Sequence, residues 1–82
     1  MSIDRLRRFY ARLADDPAFV AGHIALSELA DILDADVATA VRVGLCRMPA
    51  ARGRDAWLTQ LSERFGIPRE RLEALLTRIG AP

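Results

Sequence analysis

The segment VATAVRVGLCR, residues 37–47, decides how this chain folds. Its polar side chains are Thr39, Arg42 and Arg47, and the other eight positions are apolar or glycine. A helix over this segment is therefore apolar on nearly all sides, whereas a surface helix has one polar face. The segment predicts a helix at the centre of the fold, whose far side is covered either by its own chain or by a partner.

Four further segments carry the three- and four-residue apolar spacing of amphipathic helices. They lie at 2–14, 25–33, 54–65 and 68–79. The apolar side of the first contains Ile3, Leu6, Phe9, Tyr10 and Leu13. Residues 17–21 predict an additional short helical turn, because Asp16 and Pro17 favour a helix start and Gly22 favours an end.

Three residues predict where individual helices begin and end. Ser2 and Asp36 are predicted N-caps, because their side-chain oxygens can accept hydrogen bonds from the first backbone N–H groups of a helix. Pro49 is predicted to end the third helix, because the residue before a proline is pushed out of the helical region.

The two halves of the chain share one pattern. Residues 28–36 can be laid over residues 60–68, and each stretch predicts a helix, a tight corner and a second helix. No segment alternates apolar and polar residues with a period of two, so no strand is expected. The sequence predicts an all-α, compact bundle of five short helices, or six with the turn at 17–21, that forms one domain over 1–82.

Composition excludes several classes of function. The net charge of +1 gives no general attraction to phosphate polymers or anionic membranes. No apolar run approaches the roughly 18 residues that span a bilayer. Cys46 is the single cysteine, and His23 has no partner at a metal-ligand spacing, so no metal site, cofactor or catalytic residue is expected. The N-terminus lacks a signal-peptide pattern, and a cytoplasmic location is expected.

The second corner has the residue order of a helix-turn-helix. In LSERFGIPRERL, residues 61–72, the small residue Ser62 and the apolar residue Phe65 precede Gly66 and Ile67 at the turn. This order is similar to the DNA-binding unit of bacterial repressors, and the resemblance covers about a quarter of the chain. It implies a DNA-binding transcriptional regulator in which Arg69, Arg71 and Arg78 touch the phosphate backbone. Carboxylates at the start of the second helix would face phosphate, which disfavours this interpretation.

Two groups of residues are candidates for binding a protein partner. On the third helix, Val43 and Cys46 lie away from the main apolar side, with Arg42 and Arg47 beside them. Before the fourth helix, a cationic loop contains Arg52 and Arg54. An acidic protein surface suits these arginines better than nucleic acid does. The predicted partner-binding residues are Arg42, Val43, Cys46, Arg47, Arg52 and Arg54.

These observations favour a small, non-enzymatic protein–protein interaction module. Its role would be that of an adaptor, regulatory subunit or antagonist in a bacterial cytoplasmic system. The partner would be another protein or a second copy of the chain, and not a membrane. A third hypothesis is an enzyme or redox switch built on Cys46, because neighbouring arginines could lower the pKa of its thiol. The apolar helix around Cys46 instead favours a structural role as a small apolar residue.

Overall fold

The computed structural model describes residues 3–80, which form five α-helices and no β-strand. The helices are α1 Ile3–Leu13, α2 Leu26–Leu33, α3 Val37–Gly44, α4 Arg54–Phe65 and α5 Arg69–Arg78. A single 3₁₀ turn, Val20–Gly22, lies between α1 and α2, and it begins later than the predicted turn at 17–21. The predicted all-α bundle is confirmed, whereas the predicted cap at Ser2 lies outside the described residues.

The core forms around α3 and the contact between α2 and α5. α3 packs against α1, α2 and the 3₁₀ turn, and α5 packs against α2 and α4. Burying each leucine or valine side chain here stabilises the fold by about 1.5–3 kcal/mol. The largest fully buried side chains are Val20, Leu29, Leu33, Val41, Val43, Leu58, Leu72, Leu75 and Leu76.

α1 docks on α3 through the Tyr10 ring. The ring lies against Gly44, where an added Cβ would come within 2.3 Å of the ring carbon Cε2. The Tyr10 hydroxyl donates a hydrogen bond to the buried carbonyl of Ile24. Burial raises the pKa of Tyr10 to about 12. A glycine on α3 and an aromatic residue on α1 therefore fit together as one contact.

The third helix ends earlier than predicted, at Gly44 and not at residue 47. Beyond this point the backbone pairs with the segment before the 3₁₀ turn. The Val20 N–H donates to the Cys46 carbonyl at 3.0 Å, and the Met48 N–H donates to the Ala18 carbonyl at 2.9 Å. Because these groups find partners across the chain, they do not need helical ones. Pro49 is therefore not what ends α3.

Phe9 does not lie in the core, which corrects the predicted apolar side of α1. Its side chain is 43% exposed, and the Arg12 guanidinium lies 5.7 Å from the centroid of its ring. α1 packs against α3 and the 3₁₀ turn. Phe9 lies at the edge of the apolar side of α1, so this narrow contact leaves it uncovered.

The two corners adopt the same backbone conformation at matching positions. Asp34 has φ 50° and ψ 47°, and Gly66 has φ 66° and ψ 29°. These two residues coincide when residues 28–36 are laid over residues 60–68. After the first corner, Asp36 caps α3 by accepting a hydrogen bond from the Thr39 N–H at 2.7 Å, as predicted. That hydrogen bond lowers the pKa of Asp36.

Candidate functional site

All three arginines of α5 are ion-paired within the chain. Arg69 pairs with Asp55 and Glu73. Arg71 lies 3.7 Å from the Asp34 carboxylate, and Arg78 lies 2.6 Å from the Glu28 carboxylate. Arg69 also donates to the Thr59 hydroxyl at 3.0 Å. These contacts tie α5 to α4, to α2 and to the corner that follows α2. The guanidinium groups expected to touch a DNA backbone are thus already engaged with carboxylates.

Val43 cannot belong to a surface in this chain. Its side chain is 0% exposed and lies in the hydrophobic core. The prediction of Val43 as a partner-binding residue is therefore wrong. Of the two alternatives for the far side of α3, the side that carries Val43 is covered by its own chain and not by a partner.

Cys46 is half-buried, and its thiol is engaged. The Sγ atom donates to the Arg42 carbonyl at 3.4 Å. Burial raises the pKa of the Cys46 thiol, and the positive charge of Arg64 opposes this rise only in part. The hypothesis that nearby arginines lower the thiol pKa is therefore not supported, because removal from water outweighs the attraction.

Arg42 and Cys46 line a shallow groove of about 370 Å³. We call it the α3–α4 groove, and its other lining residues are Leu45, Arg64 and Phe65. Leu45 is 37% exposed, whereas Phe65 is half-buried. The Arg64 guanidinium lies 5.4 Å from the centroid of the Phe65 ring. The groove thus combines two cationic side chains with an apolar floor.

The backbone next to this groove is held from two sides. Arg47 forms an isolated antiparallel bridge with Phe19, and its guanidinium lies 5.8 Å from the centroid of the Phe19 ring. The Trp57 Nε1 donates to the Arg47 carbonyl at 2.9 Å. Arg47 does not line the groove, but it follows Cys46 directly and is exposed. The short segment after α3 is therefore fixed while its arginine side chain faces solvent.

The arginines around the groove form no direct ion pair in the part of the chain that the structure describes. Within residues 3–80, Arg42, Arg47 and Arg64 have no carboxylate partner within ion-pair distance. The arginines of α5 differ in that each has a carboxylate beside it. The surface around the α3–α4 groove can therefore accept an anionic partner without breaking an existing ion pair.

Arg52 and Arg54 lie in a different depression from Arg42 and Cys46. That depression measures about 380 Å³, and it also contains Arg69 and the carboxylates Asp55 and Glu73. Arg54 begins α4, whereas Arg64 lies ten residues further on, about 15 Å along the helix axis. Of the predicted partner-binding residues, the structure therefore places Arg42 and Cys46 in one depression and Arg52 and Arg54 in another, while Arg47 lies beside the first and Val43 lies in the core.

Sequence reasoning misses Leu45, Arg64 and Phe65 as groove residues. The apolar pattern places Leu45 on the broad apolar face of a longer third helix, and it places Phe65 on the buried stripe of the fourth. Arg64 belongs to another helix, so no local pattern can relate it to Arg42. The available signal is weak: an arginine next to an aromatic residue in the last turn of α4.

The single histidine makes a local contact within the chain. His23 lies in the loop after the 3₁₀ turn, where its Nε2 donates to the Pro17 carbonyl at 2.7 Å. Residues 3–80 contain no group of His, Cys, Asp or Glu side chains arranged to hold a metal ion. Over the same residues, no helix has the length and apolar character needed to cross a membrane.

Comparison of the chain with protein-family models, with curated proteins and with solved structures finds no match in any of the three. The α3–α4 groove is therefore interpreted from its own geometry and charge.

Proposed function

We propose that this chain is a non-enzymatic protein-interaction module that binds an acidic segment of a partner protein in the α3–α4 groove. One observation carries the proposal: the unpaired guanidinium groups of Arg42 and Arg64 flank the exposed Leu45. The proposed setting is the cytoplasm of a bacterium, where the module would act as an adaptor, regulatory subunit or antagonist.

The composition of the groove supports a protein partner. Arginine and aromatic side chains are enriched at protein–protein contacts, and they contribute much of the binding energy there. A partner segment with an apolar side chain could cover Leu45 and Phe65. Carboxylates on either side of that side chain could form two-point hydrogen bonds with the guanidinium groups of Arg42 and Arg64. The preferred ligand is thus an apolar residue flanked by Asp or Glu.

The state of Cys46 supports a non-enzymatic role. A nucleophilic or redox-active thiol needs a lowered pKa and access to solvent. In this chain burial raises the pKa of the thiol, and its hydrogen is donated to the Arg42 carbonyl. Cys46 therefore serves as a small apolar residue in the wall of the groove.

DNA binding through the corner at Gly66 is the weaker proposal. Contact with a phosphate backbone would require Arg69, Arg71 and Arg78 to leave their carboxylate partners. Those carboxylates would then face phosphate, which is unfavourable.

A peptide-display library tests the proposal while the partner is still unidentified. We expect the native chain to enrich peptides in which Asp or Glu flanks a large apolar residue. The double variant Arg42→Glu, Arg64→Glu should lose this enrichment, because the charge around the groove is reversed. Arg52→Glu is the matched control, since it reverses one exposed charge in the other depression. Circular dichroism should show that all variants remain folded.

Two results would overturn this proposal. The first is that the native chain enriches no acidic motif. The second is that Arg52→Glu removes the enrichment as effectively as the double variant does.

A further inference from the structure

The exposed side of α1 carries a second combination of arginine and an apolar residue. Arg5, Arg8, Phe9 and Arg12 line a shallow depression of about 210 Å³ on this helix. Their spacing of three and four residues places them on successive turns of one helix face. None of the four belongs to the α3–α4 groove.

Charge in this chain is concentrated on α1. The helix contains four arginines and one aspartate, a net charge of +3. The rest of the sequence contains eight arginines and ten carboxylates, a net charge of −2, which together give the total of +1. The net charge of the whole chain is therefore close to zero although α1 is strongly positive.

Two arginines and the aromatic side chain of this face are available to a ligand. In the part of the chain that the structure describes, Arg8 and Arg12 have no carboxylate within ion-pair distance. Phe9 is 43% exposed, and the Arg12 guanidinium lies against its ring. An arginine stacked on an exposed aromatic ring is held in place and still offers its N–H groups to an acceptor.

We infer that this face of α1 binds an acidic helix of a partner protein, with carboxylates on successive turns opposite Arg8 and Arg12 and an apolar side chain against Phe9. The matching helical repeat lets each arginine meet one carboxylate. This second surface goes beyond the proposed function, because it gives the chain two separate docking sites.

The short length of the row of arginines on α1 favours an acidic helix over a phosphate polymer as the ligand. The row from Arg5 to Arg12 extends about 10 Å along the helix axis. Asp4 precedes it and Asp15 and Asp16 follow it in the chain. A nucleic acid carries a regular row of charges that would continue past the arginines toward these carboxylates. A short acidic helix can instead place carboxylates opposite the arginines and none opposite Asp4, Asp15 and Asp16.

Fluorescence anisotropy with two synthetic peptides tests the inference. The probe is a capped helical peptide of about 20 residues with glutamates on three successive turns of one face and a leucine among them. The control peptide has the same composition, with its glutamates spread around the helix. We expect the native chain to bind the probe and to bind the control at least about tenfold more weakly, as expected when two ion pairs are lost.

Variants of the chain locate the contact. Arg8→Glu with Arg12→Glu should weaken probe binding by at least about tenfold, and Phe9→Ala should weaken it by severalfold. Both changes are made in the Arg42→Glu, Arg64→Glu background, which no longer offers the α3–α4 groove to an acidic segment and should still bind the probe through α1. Failure of the groove proposal is then distinguishable from failure of this one. Circular dichroism of each variant should match that of the native chain.

Four outcomes would overturn the inference. Equal binding of probe and control peptides would indicate unspecific charge attraction. Unchanged probe binding by Arg8→Glu with Arg12→Glu would place the contact elsewhere. Tighter binding to single-stranded DNA or to vesicles with anionic lipid, lost in the same variant, would assign the face to phosphate. A dimer of the unliganded chain that Arg8→Glu dissociates would assign it to a second copy.

Discussion

Asp34 shows how one residue sets a corner of the fold. Its φ of 50° lies in the left-handed region, which side chains other than glycine, asparagine and aspartate rarely adopt. The equivalent corner in the second half uses Gly66, which adopts this conformation without a steric cost. The pattern of helix, corner and helix is predictable for both halves. The left-handed conformation of Asp34 is harder to predict from the sequence, because aspartate is also common at turn positions with other backbone conformations.

Replacing Asp34 by glycine and by alanine separates the backbone cost from the ion pair. Both variants lose the contact with Arg71, so the difference between them reports the cost of the left-handed conformation for alanine, less the larger entropy that glycine loses on folding. We expect Asp34→Ala to unfold at lower urea than Asp34→Gly, with a difference of about 1 kcal/mol in the free energy of unfolding. Equal stability of the two variants would contradict the described corner.

Phe9 and Val43 mark the limit of residue-level prediction from this sequence. Angular position assigns each of them to a side of its helix, and both assignments are wrong. Phe9 lies at the edge of the apolar side of α1, and Val43 lies opposite the main apolar side of α3. At both positions the burial of the side chain depends on which neighbouring element covers that side of the helix, and the local sequence does not contain that information.

At the scale of the elements, helix bounds are predictable where local signals act alone. α4 extends over Arg54–Phe65, as predicted, because Gly53 precedes it and Gly66 ends it. The predicted third helix extends too far, since the backbone that follows Gly44 pairs with residues 18–20 and does not continue the helix. Leu45 and Cys46, which line the α3–α4 groove, follow the end of this helix in the chain.

The contact between α1 and α3 predicts a specific response to alkaline pH. The pKa of Tyr10 rises from 10.0 to about 12 on folding, because the buried hydroxyl is shielded from water. Between these values the unfolded chain loses the Tyr10 proton and the folded chain keeps it. The free energy of unfolding should therefore be constant with respect to Tyr10 below pH 10 and fall as the pH rises toward 12.

Tyr10→Phe tests this response, because the chain contains no lysine and no other tyrosine. At neutral pH the variant should be less stable by about 1 kcal/mol, since the Ile24 carbonyl loses its donor. The stability difference between native and variant chains should then shrink above pH 10 and change sign before about pH 12, because the proton linkage outweighs about 1 kcal/mol. Cys46 is present in both, so its titration cancels. Parallel stability curves over this range would contradict the buried state of the Tyr10 hydroxyl.

Across the whole molecule, arginine has two different roles. On α5 it joins helices: Arg71 and Arg78 reach carboxylates of the first half of the chain, and Arg69 reaches those of α4 and α5. Exposed pairs of this kind add little stability each, but they cancel charge at the surface. Within residues 3–80, Arg8 and Arg12 on α1 and Arg42 and Arg64 at the α3–α4 groove have no such pair, so their positive charge is available to a partner. Composition alone cannot reveal this division, because it depends on pairs formed between distant segments.

An NMR titration tests the central proposal of acidic docking most directly. Amide shifts of the ¹⁵N-labelled chain would be followed while a display-selected peptide with an acid-flanked apolar residue is added. We predict saturable shift changes centred on Arg42, Leu45, Cys46, Arg64 and Phe65, which disappear in Arg42→Glu with Arg64→Glu. Shift changes confined to α5, or unchanged binding by this double variant, would contradict the account.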